Sequence, residues 1–320
     1  SFVDFSKTIL YSLGFSSNFY FHYSGQVYGA ESALLKPFLH TWSLSIEEQF
    51  YIIFPVVLLI TFKFLRKYLI HVLLIGFVIS LGLADWGSRN HPSFNFYVLP
   101  TRIWELLAGS ILAYFEITKG QRSKYGLLNL ILPTVGIILI GHSVLFFNDE
   151  IFHPSFYTLS PIIGVCLIIW FSNKSEIVTK ILSTKLFVGI GLISYSLYLW
   201  HYPIFAFART AHIFDGGELK KLLFGIITLI LSIISYNFIE KPFRNKKYYF
   251  KRLIIILISL YVSLISFSFY IINESGIKTR FPKIFQVKFR EYNVNLHQKD
   301  NTQKIILIGD SHSAALEYNL

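Results

Sequence analysis

The sequence HTWSLSIEEQFYIIFP, residues 40–55, decides the fold of this chain. It places a histidine, a tryptophan and two adjacent carboxylates directly against an apolar run that reaches residue 62. A helix over this run is long enough to cross a bilayer, because each residue adds about 1.5 Å. Ionisable groups at the end of a membrane-spanning helix cost free energy unless they are paired or hydrated. Their presence here indicates a functional role.

The two carboxylates, Glu47 and Glu48, lie on different faces of the predicted helix. Glu47 follows Ser43 at i, i+4 spacing, which puts both on one face. The letters SIEE are typical of a capping box, in which Ser45 begins the helix and Glu48 bonds back to it. Glu48 therefore has a structural alternative as a helix cap, and Glu47 is the better functional candidate. His40 is either part of the same site or an interfacial histidine without chemistry.

The composition indicates a polytopic α-helical membrane protein. The chain has 320 residues, of which 53% are hydrophobic and 15% charged, whereas soluble domains carry about 25% charged residues. The net charge of +11 does not indicate nucleic acid as a partner, because the basic residues lie in short loops between apolar runs. The one cysteine, Cys166, lies inside such a run, which excludes a disulfide framework and a cysteine-based metal site.

Eight apolar runs predict membrane spans in this chain. They lie at about 43–62, 68–84, 98–115, 127–147, 157–172, 187–207, 219–239 and 252–272. The aromatic-rich residues 1–23 precede them, and we interpret these as the end of an earlier membrane segment or as an interfacial helix. A chain that lacks methionine and begins SFVDFSKT is expected to be a fragment, with its natural amino terminus upstream.

Basic residues in the loops predict the orientation. One set of loops carries fifteen of them, and the alternate set carries five. The positive-inside rule places the richer set in the cytoplasm and residues 40–55 with the carboxyl tail outside. The fifteen are Lys63, Arg66, Lys67, Lys119, Arg122, Lys124, Lys174, Lys180, Lys185, Lys241, Arg244, Lys246, Lys247, Lys251 and Arg252.

Two further stretches bring ionisable groups to the same outer side. TRIWELLAG, residues 101–109, carries Arg102 and Glu105 one turn apart, and SYSLYLWHYPIF, residues 194–205, carries His201. Acid, base and guanidinium groups at one depth are what proton transfer and anion handling require. The alternative is that Arg102 and Glu105 form only an i, i+3 ion pair and that the aromatic residues are interface anchors.

The predicted cytoplasmic end has a basic cluster of its own. The letters IEKPFRNKK, residues 239–247, include Lys241 and Arg244. Such a cluster is suited to the phosphates of a donor substrate. Plain positive-inside anchoring explains the same residues equally well.

The tail beyond residue 272 changes character. A polar linker is followed by KIILIGDSHSAALEYNL, residues 304–320, which begins with a short apolar run typical of a buried parallel strand. Gly309 and Asp310 then form a turn that lifts Ser311 to the strand's end, where α/β sheets bind ligands. Ser311 is therefore a candidate nucleophile.

The motifs together resemble a known family. HTWSLSIEEQFY, TRIWELLAG, SYSLYLWHYPIF and IEKPFR resemble the acyltransferase 3 family of membrane O-acyltransferases, and KIILIGDSHSAAL resembles the first block of an SGNH-hydrolase-type domain. Fusions of the two occur in bacterial enzymes that O-acetylate lipopolysaccharide or peptidoglycan. The resemblance implies acetyl-CoA as the donor, no bound cofactor or metal, a surface polysaccharide as the acceptor, and a place in the bacterial inner membrane with the tail in the periplasm.

The resemblance also implies roles for individual residues. Ser311 would be the nucleophile of the tail, with Gly309 and Asp310 shaping its turn. The membrane site would comprise His40, Glu47 and Arg102 as catalytic residues, Trp42, Glu48, Glu105 and His201 as supporting residues, and Lys241 and Arg244 at the donor. The family's first spans and the later SGNH blocks, which hold the Asp-x-x-His that activates the serine, are absent, so we expect the fragment alone to be inactive.

The predicted fold class is an all-α polytopic membrane protein followed by the start of a periplasmic α/β SGNH-like domain. Residues 1–250 would form the membrane domain, 251–272 its final helix, 273–303 a periplasmic linker, and 304–320 the first strand and nucleophile turn. The alternative function is a transporter or exporter of a small molecule or glycan precursor, because ionisable residues on several helices also describe a substrate path.

Overall fold

The structure is a computed structural model. It describes residues 2–26, 32–120, 123, 125–148, 151–173, 176–213, 217–244, 250–274 and 276–277. The predicted strand and nucleophile turn, with Gly309, Asp310 and Ser311, lie outside the described residues, as does nearly all of the predicted linker.

The described part of the chain is helical and contains no β-strand. Its α-helices are α1 (Phe2–Leu13), α2 (Ser17–Gly25), α3 (Thr41–Phe64), α4 (Leu69–Asn90), α5 (Pro92–Tyr97), α6 (Ile103–Lys119), α7 (Gly126–Phe146), α8 (Leu159–Phe171), α9 (Ile177–Leu182), α10 (Lys185–Thr210), α11 (Glu218–Ser235), α12 (Lys241–Arg244) and α13 (Phe250–Asn273). A π-turn, Tyr236–Glu240, joins α11 to α12. Each of the eight predicted apolar runs falls on a helix.

Five helices are long and apolar enough to cross a membrane. They are Thr41–Phe64, Arg66–Asn90, Gly126–Phe146, Glu218–Arg244 and Ile254–Asn273, and Phe156–Phe171 is a shorter apolar helix. They match five of the eight predicted spans, and the chain has the helices of a multi-pass membrane protein. The spans at 98–115, 157–172 and 187–207 stay predictions. Charged or polar residues lower the mean hydropathy of α6 and α10, and α8 has only 13 residues.

A buried apolar cluster fixes the amino-terminal half of α3 against α4 and α6. Ile46 and Phe50 of α3 pack with Leu73 of α4 and Leu107 of α6, and all four are buried. Trp42 packs against the same cluster from one turn earlier. This packing holds the first two turns of α3, which carry the predicted site, in a fixed position.

The predicted capping box is wrong. α3 begins at Thr41, four residues before Ser45, so Ser45 lies inside the helix and Glu48 caps nothing. The Ser45 side chain is buried, and its Oγ lies 2.8 Å from Oγ of Ser17 in α2. Oγ1 of Thr41 lies 3.0 Å from the same Ser17 oxygen. Hydroxyl bonds of this kind hold helices together where water is absent.

α7 and α8 approach each other more closely than ordinary side chains allow. A Cβ atom built on Gly136 would lie 2.5 Å from the carbonyl oxygen of Gly164, and one on Gly164 would lie 2.7 Å from that of Gly136. Only glycine fits at either position, and small residues of this kind let helix backbones meet.

Candidate active site

The candidate site lies where α3 begins beside α10. The ring centre of His40, the residue before α3, is 5.8 Å from that of His201, 5.4 Å from that of Tyr198 and 5.6 Å from that of Tyr202. His40 is only 5% exposed. The structure thus brings two separate predicted stretches together, and we call these four residues the histidine cluster.

Tyr198 fixes the start of α3 against α10. Its hydroxyl donates to the carbonyl oxygen of His40 at 2.6 Å and lies 2.5 Å from Oγ of Ser43. Because the one tyrosine proton goes to the carbonyl, the Ser43 hydroxyl is the donor in the second contact. Sequence reasoning treated Tyr198 as a possible interface anchor and gave it no place in the site. Its i, i+3 spacing to His201 was the available signal, since such residues share a helix face.

His201 has a defined tautomer. Its Nδ1 lies 2.6 Å from the carbonyl oxygen of Tyr198, and a carbonyl oxygen can only accept. Nδ1 therefore carries the proton and donates it. The neutral ring then has its lone pair on Nε2, which is the nitrogen able to take a proton from a substrate.

His40 is uncharged at neutral pH. Burial lowers the pKa of His40, and the nearby His201 lowers it further, to about 4. An imidazole that stays neutral at pH 7 can accept a proton or a hydrogen bond.

Arg102 lies in a second group, on a different face of α3. Its Nη1 donates to Oε1 of Glu105 at 3.0 Å, and its guanidinium carbon lies 5.3 Å from the ring centre of Trp42 and 4.9 Å from that of Phe96. The i, i+3 ion pair that the sequence offered as an alternative is present. We call Trp42, Phe96, Arg102 and Glu105 the arginine cluster.

The two clusters are separate. His40 and Trp42 are two residues apart at the start of α3, which turns their side chains about 200° away from each other. Tyr97 packs against Trp42 with ring centres 5.6 Å apart and interacts electrostatically with Tyr202. The residues predicted to form one outer site thus fall into two groups on different faces of α3, with Tyr97 near a member of each.

Glu47 and Glu48 lie deeper along α3. Seven residues separate Glu47 from His40, which is about 10 Å along the helix axis. Neither carboxylate forms an ion pair with any residue in the described ranges. Tyr195 of α10 interacts electrostatically with both of them and with Glu240. Two adjacent carboxylates without ion-pair partners inside a candidate span indicate a functional site.

The basic residues predicted at the donor end are held differently. Arg244 donates from Nη2 to Oε1 of Glu240 at 2.5 Å, and its side chain remains 64% exposed. Lys241 is exposed. The structure thus gives Arg244 a carboxylate partner that the sequence analysis did not assign.

An apolar cleft adjoins the histidine cluster. It measures about 490 Å³ and lies between α10 and α11, with Tyr198, His201, Phe205 and Thr228 among its walls. That size is within the range of small-molecule sites. The described residues contain no group of three or more histidine, cysteine, aspartate or glutamate side chains that could hold a metal ion.

Comparison with known proteins identifies the family. The acyltransferase 3 family, described as an acyltransferase domain, matches residues 8–237, which include both clusters and the carboxylate pair. The chain belongs to this family. Within this family match lie all the predicted membrane-site residues from His40 to His201, whereas Lys241, Arg244 and Ser311 lie beyond it.

Relatives of this acyltransferase 3 chain occur in Staphylococcus aureus. It is 35% identical over 235 residues to a strain COL protein with a provisional O-acetyltransferase name, and 34% identical over 230 residues to O-acetyltransferase OatA of strain NCTC 8325. The matches cover 68% and 66% of this chain but 38% and 37% of those relatives. The chain thus spans about two fifths of their length. No solved structure matches it significantly.

Proposed function

We propose that this acyltransferase 3 protein is a membrane O-acetyltransferase. It moves an acetyl group from cytoplasmic acetyl-CoA across the membrane to hydroxyls of a cell-surface polysaccharide such as lipopolysaccharide or peptidoglycan. The observation that carries the proposal is the contact of His40 with His201 inside the family match. Transfer to a hydroxyl needs a base for the hydroxyl proton, and Nε2 of His201 is suited to that role.

The proposed orientation separates donor from acceptor. The loop charges favour a bacterial inner membrane protein with the histidine cluster and the tail in the periplasm and Arg244 at the cytoplasmic face. The hydrocarbon core between the two faces is about 30 Å thick, so one site cannot contact both substrates. The acetyl group is therefore handed over between them.

The proposed hand-over uses Ser311 as a covalent carrier. Acetyl-CoA gives up its acetyl group at the cytoplasmic face, and CoA leaves there as the free thiol. At the outer face, Oγ of Ser311 attacks the acetyl carbonyl carbon and forms an ester, its proton passes to a base, and the bond between that carbon and the group that delivered the acetyl breaks. A polysaccharide hydroxyl then attacks the ester carbonyl and gives up its proton. The serine hydroxyl is restored, and the acetylated sugar is released. Glu47, His40 and Arg102 are the proposed residues of the membrane step.

The experiment uses Ser311→Ala in the full-length protein in membrane vesicles. We expect acetate on the polysaccharide to be lost while free CoA is still released from acetyl-CoA. Ser313→Ala, two residues away, is the matched control and is expected to keep both signals. Loss of CoA release in Ser311→Ala would show that the serine acts before CoA is released. Full acetylation of the polysaccharide in this variant would show that Ser311 has no part in the mechanism.

The transporter alternative is tested in the same assay. A transporter or exporter has no reason to cleave acetyl-CoA. Wild-type vesicles that release no CoA and acetylate no polysaccharide would refute the transferase proposal, whatever Ser311 does.

A further inference from the structure

α11 departs from α-helical geometry just before α12. Over Tyr236–Glu240 the backbone forms a π-turn, in which the N–H of Lys241 bonds to the carbonyl of Tyr236. Such turns are rare and occur frequently at functional sites. This one lies within the candidate span Glu218–Arg244, where an ionisable side chain is costly unless it is paired. Glu240, the last residue of the turn, is such a side chain.

Both carboxylate oxygens of Glu240 are occupied. Oε2 accepts a hydrogen bond from the buried hydroxyl of Ser196 in α10 at 3.0 Å. Oε1 accepts from Nη2 of Arg244 at 2.5 Å. The Glu240 side chain is 13% exposed, whereas that of Arg244 is 64% exposed. The carboxylate is thus anchored between two helices, and the guanidinium that it holds is open to a ligand.

A guanidinium that is already held in place loses less conformational entropy on binding an anion than a free one does. Arginine has five N–H donors in a planar fork, and Glu240 leaves most of them unused. A free arginine side chain has many rotamers, and binding must order them. Because Glu240 is itself fixed by Ser196, it orders Arg244 before any ligand arrives.

We infer that Glu240 is a positioning residue that presents Arg244 to the phosphates of the acyl donor. The inference rests on the proposed function, which assigns acetyl-CoA as that donor. Tyr195, next to Ser196, lies near enough to Glu240, Glu47 and Glu48 for their charges to act on its phenol group. The helix that anchors Glu240 therefore also passes near the carboxylate pair.

The test compares Glu240→Gln, Arg244→Gln and the double variant in the full-length protein. Glutamine keeps the size of Glu240 and offers an amide oxygen to Arg244 and an amide NH₂ to Ser196, but removes the charge. We expect the Kd and KM for acetyl-CoA to rise about fivefold in Glu240→Gln, the size of one net hydrogen bond, with kcat within about twofold. The double variant should be no worse than Arg244→Gln, because Glu240 acts through Arg244.

Two control variants separate positioning from a purely structural joint between α10 and α11. Ser196→Ala removes one of the two anchors of Glu240 but keeps the ion pair, so its KM should rise about twofold, less than in Glu240→Gln. Glu218→Gln breaks an exposed ion pair at the other end of α11, in which Nζ of Lys221 lies 2.7 Å from Oε1 of Glu218. It should leave the Kd and KM unchanged.

An unchanged KM in Glu240→Gln, or effects of the two single variants that multiply, would overturn the inference. A KM in Ser196→Ala as high as in Glu240→Gln would do so as well. If Glu240→Gln lowers the amount of folded protein, Arg244→Lys is used as the test variant in its place. Lysine keeps the charge but lacks the planar fork, so the Kd for acetyl-CoA should rise nearly as much as in Arg244→Gln. Wild-type protein that binds acetyl-CoA but releases no CoA would refute the proposed function alone, because the Kd comparison still tests Glu240.

Discussion

The arginine cluster and the carboxylate pair of α3 hold charge in opposite ways. Arg102 is bonded to Glu105 and lies over two aromatic rings, so its charge is met by the protein itself. Glu47 and Glu48 have no ion-pair partner in the part of the chain that the structure describes. A paired charge that is also largely buried stabilises the fold, whereas a carboxylate without an ion-pair partner is available to a substrate or a proton. We therefore expect a substitution of Arg102 to lower stability as well as activity, and a substitution of Glu47 to lower activity alone.

Glu47→Gln in the full-length protein has the largest expected effect on activity. The amide has the same size but cannot take a proton, and general acid–base groups contribute about 100-fold or more. We expect polysaccharide acetylation to fall by at least about 100-fold, with an unchanged amount of protein in the membrane. Quantitative mass spectrometry of the glycan and immunoblotting measure the two. Retained activity would show that Glu47 is not needed for acetylation.

Arg102→Ala tests the other side of the comparison. It removes one partner of a partly buried pair and leaves Glu105 uncompensated, which costs about 2–3 kcal/mol of stability. We expect a lower unfolding midpoint in detergent and less protein in the membrane. The double variant Arg102→Ala/Glu105→Gln should recover part of the loss, because it removes the orphaned charge. Normal stability combined with lost activity would show that Arg102 acts in the membrane step without supporting the fold.

The pH dependence of stability tests the burial of His40. The unfolded chain protonates this residue below pH 6.5, whereas the folded protein resists protonation until about pH 4. The contribution of neutral His40 to the free energy of unfolding is therefore fully present above pH 6.5 and is lost as the pH falls towards 4. The loss at pH 5.5 is about 1 kcal/mol. The drop in unfolding midpoint between pH 7.5 and 5.5 should be smaller in His40→Asn, and an equal drop in both proteins would contradict the assignment.

Tyr198→Phe gives the smallest expected effect. It removes the hydroxyl that bonds the His40 carbonyl and Ser43, worth about 1 kcal/mol, and should lower activity a few-fold by loosening the histidine cluster. Tyr202→Phe is the matched control, since among the residues that the structure describes its hydroxyl bonds the carbonyl of Ala33, at 2.9 Å, and neither His40 nor Ser43. Equal activity losses in the two variants would show that Tyr198 has no special role.

Local patterns predicted most of the fold. Hydropathy is a property of consecutive residues, and each of the eight apolar runs indeed falls on a helix. The Arg102–Glu105 pair was also foreseeable, because i, i+3 spacing on a helix is visible in the letters. These features depend on neighbours in sequence.

Contacts between distant segments were not predictable in this way. The hydroxyl of Tyr198 meets the carbonyl of His40 across 158 residues, and no spacing rule connects them. Ser45 had the pattern of a helix cap, yet Ser17 of another helix is its partner. The π-turn that places Glu240 against Ser196 breaks the helical period on which the sequence reasoning relied.

The close approach of α7 and α8 leaves the short α8 dependent on its neighbour. α8 has only 13 residues, fewer than the roughly 20 that a helix needs to span a bilayer by itself. Its backbone meets that of α7 at Gly136 and Gly164, where no side chain keeps the helices apart. A side chain at either glycine would push the two backbones apart, and the shorter helix would lose a larger share of its packing than the longer one.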